Sequence, residues 1–150
     1  MTTELDVTAL RRLAAEVEAQ KAAEEQRLRD AEEAKRKALL EELSTEIEPT
    51  PEAIERGLER VAAMVRAAAE RGRTELMVFR FPNELTTDKG RAINHAEPGW
   101  PETLTGRPAQ LYRFWKIHLA PKGFRLAAQI IDFPGGMPGD VGFFLAWGDR

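Results

Sequence analysis

From Leu5 to Leu43 the chain contains neither glycine nor proline, and Ala, Glu, Lys, Arg, Gln and Leu dominate the run. These are the strongest helix formers. Glu25 and Arg29, Glu32 and Arg36, and Glu33 and Lys37 stand four apart with the acid nearer the N-terminus, the order that supports a helix. One unbroken helix over this stretch would be about 58 Å long.

Its apolar residues gather at the two ends. Leu10, Leu13 and Val17 begin a 3–4 spacing, and Leu39, Leu40 and Leu43 close the segment. Between them, the seam that starts at Leu10 and Ala14 meets Lys21, Glu24 and Lys35, with Leu28 its only large apolar residue. A sustained coiled coil keeps its seam apolar for roughly three or four heptads. The expectation is a solvated helix, a partial coiled coil that docks or pairs at its ends.

Charge separates this helix from the rest of the chain. The first fifty residues hold 8 Lys+Arg against 13 Asp+Glu, a balance of −5, and the remainder 14 against 12, or +2. We therefore read an extended polar helix over 1–44, a hinge over 45–50 and a compact unit over 51–150. The chain has no cysteine, which excludes disulfides, thiolate nucleophiles and cysteine-type zinc sites. Its first residues, "MTTELDVTAL", lack the pattern of a secretory signal, and no apolar run is long enough to cross a bilayer. The expected setting is cytoplasmic and off the membrane. Arg outnumbers Lys 16 to 6 and alanine is abundant, the bias of a GC-rich bacterial genome.

The second half alternates helix and strand signals. Thr50 is a fit N-cap, with Pro51 and Glu52 in the first turn and Ile54, Leu58, Val61, Val65 and Ala69 on one stripe. Gly72 can end that helix. "TELMVFRFP" reads as a strand with Met77, Phe79 and Phe81 on one face and Leu76 and Val78 on the other, both faces covered. "TTDKGRAINHAE" is a weaker helix, capped by Thr86 or Thr87 and flawed by Gly90. "RPAQLYRFWKIHLAPKG" is a better one, with Pro108 near its start and Gly123 past its end. "FRLAAQIIDF" and "DVGFFLAWGD" close the chain as strands. The order α-α-β-α-α-β-β defines an α+β fold with a small, mainly antiparallel sheet of about three strands.

Little catalytic chemistry is on offer. Asp132 to Asp140, "DFPGGMPGD", is rich in glycine but precedes a strand and lacks the Lys-Ser/Thr pair of a phosphate loop. It reads as a hairpin connection. Ser44, in the hinge, is the only serine, so no serine triad can be built in the compact unit. "HAEPGW" echoes the H-x-E of zinc deaminases, but their cysteines are absent. His118 falls on an apolar helix face and reads as a packing residue, and His95 with Asp88, Glu97 or Glu102 has no metal-ligand spacing. No cofactor is expected.

One stretch stands apart. From Thr103 to Ile131 there is no acidic residue, yet Arg107, Arg113, Lys116, Lys122 and Arg125 all occur there. Trp100 stands nearby in the stiff loop "EPGWP". Trp100 and these five cations are the candidate binding residues, for an acidic protein partner, an anion or the chain's own first helix. A pI of 5.6 argues against nucleic acid. The leading reading is a non-enzymatic interaction or adaptor protein whose polar helix self-associates or reaches a partner. Its rival is a small enzyme or anion-binding module with a cleft around His95, Trp100, Arg107 and Arg113.

Overall fold

The structure, a computed structural model, describes residues 6–149. Helix α1 (Val7–Leu43) occupies nearly all of the glycine- and proline-free run. Side-chain pairs three and four residues apart run along it, among them Gln26 donating to Asp30 at 2.8 Å. Arg27 grips Glu24 one turn back, at 2.5 and 3.0 Å, and Arg29 turns to Gln26. The chain divides into two compact units at Leu39, so the last turn of α1 belongs to the second unit. Leu43 is buried in the core of that unit, with Leu40 against it.

The second unit continues with α2 (Pro51–Glu70), which starts as its capping residues dictate. Thr50 has extended backbone and its hydroxyl accepts from the amide of Ala53 at 3.1 Å. Gly72, at φ 77°, lets the chain leave the helix. The buried stripe is centred slightly differently from expectation. Ala68 is buried and Ala69 exposed, while Ile54, Leu58, Val61 and Val65 are half-buried.

Three antiparallel strands complete the fold in the order β1-β3-β2: β1 (Glu75–Phe81), β2 (Arg125–Ile130) and β3 (Val141–Ala146). Val141, Phe143 and Leu145 of the central strand are all but fully buried. Opposite them stand Phe81, Phe79 and Leu76 on one side, and Ile130, Ala128 and Leu126 on the other. Phe79, Phe81 and Phe143 bring their ring centroids within 5.0 to 6.2 Å.

Strand β1 does not alternate as expected. A bulge between Met77 and Phe79 inserts one residue, and an extra residue shifts every later side chain to the other face. Met77 therefore lies opposite Phe144, apart from Phe79 and Phe81. The expectation of two covered faces also fails. The second face stays open to solvent over Met77, Ala127 and Gln129, with Ile131 and Phe144 closing around Gly142.

Between β1 and β2 the chain forms α3 (Arg91–Asn94) and α4 (Gly106–Phe114). Gly90 is no flaw in α3; it is the left-handed residue, φ 81°, from which the helix starts. A Cβ there would press on Ile130 and Asn83 at 3.1 and 3.4 Å. The expected long fourth helix is broken into three kinds of turn. After α4 come a wide π turn over Trp115–Leu119 and a 3-10 turn over Ala120–Lys122, ended by Gly123 at φ 95°. Pro121 is the physical reason, since it has no amide to donate back along the helix.

Candidate functional site

The basic residues of α4 face the connection between α1 and α2. Arg107, Gln110 and Arg113 recur every three residues along the helix and grip residues 42–47 in turn. The Arg107 guanidinium donates to the Glu42 carbonyl at 3.2 Å and stands 3.6 Å from its carboxylate. Gln110 accepts from the Ile47 amide at 2.9 Å and donates to the Ile47 carbonyl. Arg113 pairs with Glu46.

The Glu42 carbonyl is one of those a helix leaves unsatisfied at its C-terminus, where a cation is also favoured. Thr45 donates its hydroxyl to the same carbonyl and Ser44 to that of Glu41, each at 2.9 Å. At the start of α4, Gly106 has φ 55° and passes so close that a Cβ would lie 2.5 Å from the Leu43 carbonyl oxygen. Sequence and geometry thus converge on a clamp around the chain's own helix end. The energies differ along it. Arg113 and Glu46 are both half exposed, and such a pair is worth at most about 1 kcal/mol. Arg107 is 18% exposed, and a hydrogen bond from a sheltered charged group contributes roughly 1.5–3 kcal/mol.

The other candidate residues have separate surroundings. Trp100 packs into the core, its ring 5.7 Å from Tyr112 and 6.1 Å from Phe143, so it fastens the "EPGWP" loop to the sheet. Arg125 donates to the Gly148 carbonyl at 2.8 Å. Lys116 and Lys122 are exposed. Between them in the chain the π turn presents Ile117, 65% exposed. The spacing of the cations does not reveal Ile117, because it implies a regular helix there. Glu42, Glu46 and Gln110 also escape a search for cation clusters, although the acid–base match of the two glutamates with α4 is visible in the charges.

The residues of the rival cleft are distributed. His95 is exposed at the end of α3, Trp100 is in the core, and Arg107 and Arg113 hold the connection. Asp88 caps α3, its carboxylate accepting from the amides of Gly90 and Ala92 at 3.1 and 2.9 Å. His118 is half-buried beside Phe114, ring centroids 5.0 Å apart. Among the described residues no three His, Asp or Glu side chains are grouped as a metal site.

The glycine-rich stretch is the hairpin between β2 and β3. Gly135 and Gly136 take positive φ, and Arg80 joins the carboxylates of Asp132 and Asp140 at its base, at 3.3 and 2.9 Å. The amides of Gly136, Met137, Gly139 and Asp140 are all donated within the loop. They are spent on the turn.

No helix among the described residues is long and apolar enough to cross a membrane. The fold defines the class of the protein only as α+β with a long N-terminal helix. Compared with protein-family models, curated proteins and solved structures, the chain matches none.

Proposed function

We propose that this is a non-enzymatic cytoplasmic protein that works by binding other protein chains, with α1 as its interaction helix. The observation that carries this reading is the exposure of α1. Val7, Leu10, Leu13, Val17, Leu28 and Leu39 are each 40% exposed or more. Large apolar side chains gathered on a surface mark interaction sites. The second unit adds a surface of its own, Lys116, Ile117 and Lys122, suited to an acidic partner with an apolar anchor. Arg107 and Arg113 support that role indirectly, by holding α4 against the end of α1.

The test uses the full chain as bait against a differently tagged second copy and a soluble extract of the source organism. Leu13→Glu with Val17→Glu is the control bait. Wild type should retain a defined partner and the control should lose it. Equal capture by both baits, or by neither, would contradict the reading.

A further inference from the structure

The polar middle of the α1 seam becomes complementary when two copies run antiparallel. Take positions 7, 10, 14, 17, 21, 24, 28, 31, 35 and 38 as the alternating seam of a heptad repeat, and place the symmetry axis between Ala22 and Ala23. Each layer then joins positions whose numbers sum to 45. Val17 meets Leu28 of the second copy, Ala14 meets Ala31, and Val7 meets Ala38. Leu10 meets Lys35, whose carbon stem can lie along the leucine with its ammonium in water. At the centre, Lys21 meets Glu24, and by symmetry Glu24 meets Lys21. Run in parallel and in register, the same helices would set Lys21 on Lys21, Glu24 on Glu24 and Lys35 on Lys35. Charged seam positions of this kind select orientation and register.

We propose that α1 pairs with α1 of a second copy of this chain as an antiparallel two-helix coil, in the register that places Lys21 against Glu24. The inference rests on the reading of α1 as an interaction helix and names its partner. Lys21 is 67% exposed and 4.0 Å from Glu18, and Glu24 is 56% exposed. Arg27 occupies part of the Glu24 carboxylate, but a carboxylate offers about four acceptor sites. Along the flanks, Arg11 comes beside Glu32 and Leu13 beside Ala34 of the second copy. Glu18 approaches Glu25, and by symmetry Glu25 approaches Glu18, an unfavourable flank pair on the central turns that Lys21, 4.0 Å from Glu18, lies alongside to moderate. The seam mixes small residues with few large ones, so the pair is a modest one, reversible with concentration.

The absence of cysteine makes the test clean. Full-length Val17→Cys and Leu28→Cys proteins are treated with a short bis-maleimide, separately and mixed. In the proposed register position 17 adjoins position 28, while 17 and 17, or 28 and 28, are about 16 Å apart along the axis. The mixture should cross-link and either protein alone should not. In parallel, sedimentation equilibrium should show Lys21→Glu and Glu24→Lys each weakening association about tenfold, and the double exchange recovering most of it. Val17→Cys cross-linking to itself would overturn the orientation. No cross-link in any mixture would overturn self-pairing, and additive losses in the double exchange would overturn the register that sets Lys21 against Glu24. Capture of a different protein by the stripe, without a second copy, would leave the interaction reading standing and remove this one.

Discussion

Replacing Leu43 by alanine tests where the second unit begins. Leu43 is 5% exposed and shares its core with Phe81, Leu85, Ile93, Leu104, Val141 and Phe143. Truncating a buried leucine costs the transfer of its lost methyl groups and a residual cavity, together about 2–4 kcal/mol. With a urea slope of roughly 1–2 kcal/mol per molar for a unit of this size, the midpoint should fall by about 1–4 M. Tryptophan fluorescence is the right probe, because Trp100, Trp115 and Trp147 all lie in the second unit and α1 has none. Met137→Ala, at a site 68% exposed, is the control and should change the midpoint by less than about 0.5 kcal/mol equivalent. Both are compared at one protein concentration. If Leu43→Ala unfolds with wild type, the last turn of α1 is no part of the core and the boundary at Leu39 is misplaced.

Other substitutions probe the clamp and the surfaces. Gly106→Ala forces a left-handed alanine against the Leu43 carbonyl and should destabilise the unit by about 2–4 kcal/mol in the same urea assay; an unchanged midpoint would deny the close approach. Lys116→Glu with Lys122→Glu should leave thermal unfolding within about 0.5 kcal/mol of wild type while reducing capture of an acidic partner, and unimpaired capture would discard that surface. The Glu24 carboxyl is held below its ordinary value of 4.5 by its hydrogen bonds from Arg27. Its contribution to α1 is therefore complete above about pH 4.5 and lost as pH falls through the lowered value. An NMR titration should place the Glu24 midpoint below 4.5, and Arg27→Ala should return it; a midpoint at or above 4.5 in wild type would contradict the pairing.

The elements legible in the sequence are those governed by local chemistry. Helix α1 comes from a run without glycine or proline, and α2 from Thr50, Pro51 and Gly72, each acting on its own neighbours. The β2–β3 hairpin comes from glycines that turn the chain. The illegible features depend on distant groups. An inserted residue at Val78 leaves no trace in an alternating apolar run, so alternation alone puts Met77 on the wrong face. Pro121 is visible in the sequence, yet its effect on the turn that displays Ile117 depends on how the helix relaxes around it. The α4 clamp joins residues more than sixty positions apart, Gln110 with Ile47 and Arg113 with Glu46. Charge alone says that α4 seeks an acidic partner, but not that part of the answer lies in the chain itself.

The pairing of α1 with a second copy is tested most directly by an interspin distance. Arg12 lies on the outer side of the proposed coil, opposite the seam, and is exposed. A spin label on full-length Arg12→Cys should give a single intermolecular distance of roughly 35–40 Å in pulsed dipolar spectroscopy, from an axial offset of about twenty-one residues and the width of the pair. A distance near 20 Å would mean parallel helices, and no intermolecular coupling at high protein concentration would mean that α1 does not pair with itself.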